Sequence, residues 1–276
     1  MLRATRTTAI AAFTIGLQPA AHGGFDEGAR AHKMGDFAQA FKQWEPLAKQ
    51  GDAQAQYELG WMYGNGEGVP QDQKQAAEWY RKAAKQGHAK AQFKLGAMYG
   101  LGEGVPHDDK QAAEWFHKAA AQGDVNAQFA LGSVYQLGRG VAKDRTQAAN
   151  WFHEAALRGN ARAQANLGGR YAGGDGVPQS YERAADWYRK AAEQGEADVQ
   201  YALGLAYKCG IGVSQDSVLA HMLFSLAAKA GHTETSDELA ELNEHLTPEQ
   251  LSEAHALAAE WKPNTPLPTE TKTGRP

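Results

Sequence analysis

The 276-residue chain contains a single cysteine, Cys209, so no internal disulfide can form, and no CxxC pair exists to hold zinc or run thiol redox chemistry. Positive charge is also scarce. Lys and Arg number 28 against 32 Asp and Glu, a net charge of −4, so no global basic field recommends nucleic acid or an anionic membrane as a partner. Long apolar runs are missing as well. A bilayer-spanning helix needs roughly 20 apolar residues, and no segment supplies them. HExxH, GxSxG and SxxK are absent, and no paired carboxylates stand out. The reading is therefore no catalytic residue, no metal site, no cofactor and no membrane span.

Its first residues are MLRATRTTAIAAFTIGLQPAAHG. Arg3 and Arg6 form a basic start, Ala9 to Leu17 an apolar core, and Ala21-His22-Gly23 offers small residues at the −3 and −1 sites. That is the layout of a cleaved secretory leader. Residues 1–23 are expected to be removed after Gly23, placing the mature chain in the periplasm or outside the cell. No cysteine follows the apolar core, which argues against a lipoprotein anchor.

Thirty-one glycines are many for a helical chain, and here they are periodic. Offsetting the sequence by 36 residues aligns five gapless copies, 55–90, 91–126, 127–162, 163–198 and 199–234. Leucine recurs at 59, 95, 131, 167 and 203, and tyrosine at 63, 99, 135, 171 and 207. Glycine pairs recur at 66/68, 102/104, 138/140, 174/176 and 210/212, with a further glycine at 87, 123, 159, 195 and 231. Within a copy, Ala55, Leu59 and Tyr63 fall on one face of a first helix. Asp72 caps a second helix that runs to about Lys85 and is ended by Gly87. Ala76, Trp79, Tyr80, Ala83 and Ala84 form its apolar face. A lone pair cannot bury such faces, so the copies must stack around one continuous core.

The segment GNGEGVPQD, residues 64–72, raises the possibility of a phosphate cradle at a helix start. It lacks a Lys-Ser/Thr follow-up and a preceding strand. The same loop recurs in all five copies, always between the same two helices, which is what an inter-helix turn requires. Gly66 and Gly68 are expected at positive φ, with Pro70 setting the approach to the next helix.

The pattern AQxxLGxxYxxGxGVxxDxxxAAxWYxxAAxxG resembles the Sel-one-like repeat, a relative of the tetratricopeptide repeat. The resemblance covers residues 55–234 and implies an all-α fold, a right-handed α/α superhelical solenoid of five helix-pair repeats. FDEGARAHKMGDFAQAFKQWEPLAKQGDAQ, within residues 24–54, looks like a tetratricopeptide-like N-terminal hairpin. In the fifth copy Leu223 replaces the tryptophan found at 79, 115, 151 and 187, a variation typical of a last repeat. Thr247-Pro248-Glu249-Gln250 reads as a capping box opening a final helix, so 235–261 is taken as capping helices. KPNTPLPTETKTGRP, residues 262–276, reads by composition as a disordered tail. What the resemblance implies for function is a non-catalytic scaffold that binds a protein or peptide, often in envelope signalling or host interaction. A minority of relatives rich in paired cysteines are linked to β-lactams, which leaves a cell-wall-active or β-lactam-hydrolysing enzyme as the alternative. One cysteine matches that subgroup poorly.

Positions at which the copies differ are candidates for specificity, since in a solenoid the framework repeats and the binding surface need not. On the first helices a stripe through 54, 58, 61 and 65, bordered by 62, carries Glu58, Trp61 and Met62, then Lys94, Met98 and Leu101, then Val134 and Leu137, then Asn166 and Arg170, then Leu205. By the resemblance, first helices line the concave face. Apolar anchors rimmed by Lys and Arg have the composition of a protein-binding surface; drift on an unselected face has the same appearance. The row Arg81, His117, His153, Arg189 on the second helices reads as a solvated outer face rather than a ligand set, and the tryptophan row as core rather than a stacking platform.

Overall fold

A computed structural model describes residues 20–269 and 271–273. Residues 1–19, which hold most of the expected leader, lie outside the described residues. Helix α1 (Ala20–Lys33) pairs with α2 (Phe37–Lys49). The five repeats follow as α3 (Ala53–Asn65) with α4 (Gln73–Lys85), α5 (Ala89–Leu101) with α6 (Asp109–Ala121), α7 (Val125–Leu137) with α8 (Arg145–Leu157), α9 (Ala161–Gly173) with α10 (Tyr181–Ala192), and α11 (Ala197–Cys209) with α12 (Ser217–Lys229). Then come α13 (Thr235–His245) and α14 (Pro248–Glu260). Among the described residues there is no strand. The chain divides into two compact units, residues 1–83 and 84–276.

The repeated letters have distinct mechanical duties. In every copy the first loop glycine, Gly66 through Gly210, is the left-handed C-cap of the first helix, φ between 67 and 74°. The second also takes positive φ, 74° at Gly68 and 78° at Gly176, but for a different reason. A Cβ there would meet a backbone carbonyl carbon and oxygen, those of Phe37 for Gly68, Asp109 for Gly140, Arg145 for Gly176 and Tyr181 for Gly212. Each of those carbonyls belongs to the first residue of a helix in the preceding pair. The loop is closed on its other side by backbone bonds from Asp72, Asp108, Asp144, Ser180 and Asp216 to the carbonyls of Tyr63, Tyr99, Tyr135, Tyr171 and Tyr207. It is a turn and a joint.

The AQ of the pattern supplies a second fastening. Gln56, Gln92, Gln128, Gln164 and Gln200 are buried, and each Nε2 donates to a carbonyl eight residues back, on Ala48, Ala84, Ala120, Ala156 and Ala192. Those are end-of-helix acceptors with no partner inside their own helix. The glycine after each core leucine is steric in purpose. A Cβ on Gly132 would sit 2.6 Å from the Phe152 ring, and Gly60, Gly96, Gly168 and Gly204 stand likewise against Tyr80, Phe116, Tyr188 and Phe224. The second helix crosses the first there, aromatic face on bare backbone. Leu59, Leu95, Leu131, Leu167 and Leu203 are fully buried beside these crossings; truncating one to alanine would cost about 2–5 kcal/mol.

In the tryptophan row Trp79 and Trp187 are buried in core clusters and Trp115 and Trp151 are half-buried, with Lys82, Lys118 and Lys190 ammonium groups 3.7, 4.1 and 4.2 Å above the rings of Trp79, Trp115 and Trp187. The row of His and Arg is not a solvated outer face. His117 Nε2 lies 3.0 Å from the Tyr135 hydroxyl, and Arg189 donates to the Tyr207 hydroxyl. At α14 both halves of the Thr247–Gln250 capping box are made. The segment after α14, taken from composition as disordered, is instead docked over its described residues: Leu267 is buried in the core cluster of α10–α12. Composition misleads there because Arg189 and Glu193, which hold Leu267 and Pro268, lie more than seventy residues back along the chain, outside any local window of sequence.

Candidate functional site

The stripe expected on the first helices divides into buried and accessible members. In the first unit Met62 is fully buried among Trp44, Leu59 and Trp79. Trp61 is half-buried, its ring 5.0 Å from that of His32 on α1 in an edge-on contact. Glu58 accepts from Gln54 Nε2 at 2.6 Å. In the second unit Met98 and Val134 are buried, and so is Arg170, 4% exposed. A core face running through 55, 59 and 63 alone puts position 62 and its equivalents at the rim of the stripe, and the structure buries Met62, Met98, Val134 and Arg170 instead. A helix held both by its own pair and by the preceding pair needs a wider apolar arc than a helix lying on one surface.

Arg170 in particular is not a free cation for steering. Its Nη1 donates to Asp175 Oδ2 at 2.9 Å and to the Asp175 carbonyl at 3.1 Å, and the guanidinium lies 5.1 Å over the Phe152 ring. Burial lowers its pKa from the ordinary arginine value; Asp175 opposes that shift and Arg145 adds to it. Asp175 also pairs with Arg145 Nε at 3.2 Å.

The remaining members stay accessible. Leu101 is 69% and Leu137 57% exposed, large apolar side chains at the same repeat position on neighbouring first helices. Between them opens a cleft of about 290 Å³ whose walls include Phe93, Ala97, Phe116 and Val134, with Asp109 and Arg139 among its polar lining residues. A second, more polar cleft of about 410 Å³ is lined by Gln136, Ala165, Asn166, Gly169, Arg170 and Asp175. So Leu101, Val134 and Leu137 are brought together, as are Asn166 and Arg170. Lys94 and Leu205 are half-buried and line neither cleft.

The aromatic wall was missed from sequence, although a signal existed. The row Tyr57, Phe93, Phe129, Ala165, Tyr201 is aromatic in four copies. Phe93 packs against Phe116, ring centroids 5.8 Å apart and tilted by 37°, and both line the first cleft. Ala165, where the ring is missing, leaves the space of the second. Cys209 is exposed and free. Among the described residues no helix is long and apolar enough to cross a membrane.

Helix pairs repeating every 36 residues, fastened by loop glycines and buried glutamines and presenting one face of first helices, define an α/α superhelical solenoid of the tetratricopeptide-like class. The chain belongs to the Sel1 repeat family, with five successive repeats at 53–88, 89–124, 125–160, 161–196 and 197–232. It is similar to a crystallised protective antigen present in uropathogenic Escherichia coli strains and displaying an SLR fold, at 37% identity and a TM-score of 0.79. That likeness covers 87% of this chain but 53% of the antigen, so the chain spans about half of its length. A Sel1 repeat protein from Oxalobacter formigenes, 32% identical with a TM-score of 0.72, is covered completely by 86% of this chain. No curated protein matches it. Sel1 repeats form a scaffold typical of protein–protein interaction.

Proposed function

We propose that this chain is a non-catalytic scaffold, exported to the periplasm or beyond, that binds a protein or peptide partner through the first-helix face of its second unit. The observation that carries the reading is the pair of exposed leucines, Leu101 and Leu137, at the mouth of an apolar cleft. Folding leaves these two side chains largely in water, and burying each in a partner would gain up to about 1.5–3 kcal/mol. The polar cleft beside it, with Asn166 and Gln136, offers hydrogen bonds at the rim. The basic start and short apolar core of residues 1–23 support export, and a regulatory role in envelope signalling or host interaction fits a scaffold so placed.

The test is crosslinked capture from an envelope extract, comparing wild type with Leu137→Asp. Loss of a specific partner at unchanged helicity supports the reading; equal capture by both moves the interface elsewhere. N-terminal sequencing of the exported product should begin at Gly24, and an intact Met1 on a cytoplasmic product would remove the export half. Nitrocefin turnover above buffer by the purified mature protein would favour the enzyme alternative.

A further inference from the structure

The segment after α14 lies in the fold as a peptide lies in a receptor groove. Trp261 Nε1 donates to the Thr265 carbonyl at 3.2 Å, and Asn264, at φ 66°, turns the chain back onto α10, where its N–H donates to the Glu193 carbonyl. Thr265 and Leu267 each precede a proline and are thereby biased to extended backbone. In Pro266-Leu267-Pro268 only Leu267 has an N–H, and it donates to Glu193 Oε1 at 3.0 Å. The carbonyls of Leu267 and Pro268 both accept from Arg189 Nη1, at 3.2 and 3.0 Å. Further along, Thr271 Oγ1 donates to Asp216 Oδ2 at 2.7 Å, and Glu253 of α14 accepts from the amides of Lys272 and Thr273. Of the described tail side chains, Leu267 alone is buried.

Three features mark this groove as specific to its place. Arg189 on α10 and its C-cap Glu193 stand one turn apart, and the corresponding pairs are Arg81 and Lys85, His117 and Ala121, and His153 and Leu157. No other copy combines a bidentate-capable donor with a carboxylate. Asp216 is 6% exposed, whereas the equivalent caps Asp72, Asp108, Asp144 and Ser180 are exposed or half-buried. Leu223 replaces the repeated tryptophan. Since the Trp187 ring lies 5.8 Å from His153, the equivalent ring at 223 would project toward Arg189, into the cluster that Leu267 now shares with Leu223.

We propose that the groove across α10, α12 and α14 is a binding site for extended, proline-flanked leucine segments, occupied in cis by residues 263–269 and 271 and open in trans to a protein partner presenting the same segment. Recognition is transferable because, apart from the Thr271 hydroxyl on Asp216, the clamp reads main-chain groups plus one leucine, and prolines lower the ordering cost of any such ligand. The cis tail competes at an effective concentration in the millimolar range, so a trans ligand sees a weakened site until the tail is released.

The test uses the full chain and a labelled peptide of residues 262–273, KPNTPLPTETKT. Full-length Leu267→Asp should bind the peptide saturably, and wild type at least tenfold more weakly. The peptide carrying the same Leu→Asp change should not bind, and adding Arg189→Ala to the Leu267→Asp chain should weaken binding at least tenfold. If the Leu267→Asp chain keeps its helicity and melting temperature but binds no better than wild type, the proposal fails. Should that variant lose helicity, hydrogen exchange on wild type decides. Millimolar unlabelled peptide should speed exchange of the Leu267 amide several-fold, and an unchanged rate overturns the proposal.

Discussion

Two glycines of one loop, Gly174 and Gly176, separate backbone conformation from inter-repeat contact. Both take positive φ, 68 and 78°. At Gly174 a Cβ would meet Gln179 Cβ at 3.4 Å, an ordinary contact, so Gly174→Ala should carry only the left-handed penalty of about 1–2 kcal/mol. At Gly176 the same atom would fall 2.1 Å from the Arg145 carbonyl oxygen and 2.4 Å from its carbon. Neither is the tip of a flexible side chain. The loop or the start of α8 must shift by about 1 Å, which packed interiors resist, adding about 1–3 kcal/mol of overpacking. Gly176→Ala should therefore cost about 2–5 kcal/mol. Urea titration followed by far-UV circular dichroism reads the difference as a lower midpoint for Gly176→Ala than for Gly174→Ala. Equal midpoints would refute the idea that the second glycine is the joint between neighbouring pairs.

Three further outcomes follow from side-chain environments. Burial and the neighbouring His255 lower the pKa of His221 from 6.5 against an opposing hydrogen bond to Asn243, and burial lowers that of His117. The unfolded chain thus takes up protons first, so this stability is full above 6.5 and drains as pH falls below it; His221→Gln should flatten the change in melting temperature between pH 7.5 and 5.5 (about one unit either side of the unperturbed value), and an unaltered slope would contradict it. Arg170→Met should cost less than about 1 kcal/mol or stabilise, because Met62 and Met98 fill the equivalent position and Asp175 keeps Arg145, whereas a loss above about 3 kcal/mol would show an indispensable buried pair. Trp61→Ala should lower the thermal stability of the first unit by about 1–3 kcal/mol through its lost packing on His32; an unchanged melt would return Trp61 to the list of exposed anchors.

Identity between copies made the framework legible. Leu59, the caps such as Asp72 and the loop glycines each repeat five times or nearly so, and one local mechanism explains each. Gly60 repeats just as faithfully, yet its purpose appears only once Tyr80 is seen crossing it, because a helix–helix contact has no signature in either strand of sequence alone. The candidate surface was legible in part. Leu101 and Leu137 emerged correctly as accessible, while Met62, Met98, Val134 and Arg170 did not, since their burial depends on the neighbouring pair as well as their own helix. The tail was illegible for a further reason: Arg189 and Leu267 are 78 residues apart, and nothing in the composition of Lys262 to Thr273 points to the clamp.

The joint between neighbouring pairs is made of a glycine and a carbonyl, thirty-one positions earlier at Gly68, Gly140, Gly176 and Gly212 alike. Neither partner is a side chain with an identity to be matched. A gene that lost or gained one 36-residue block would therefore present every surviving joint with a chemically identical counterpart, with no compensating substitution at the seam. Copy number in such a chain is free to vary by whole blocks, while the clamp on α10, present once, would be inherited or lost as a single unit.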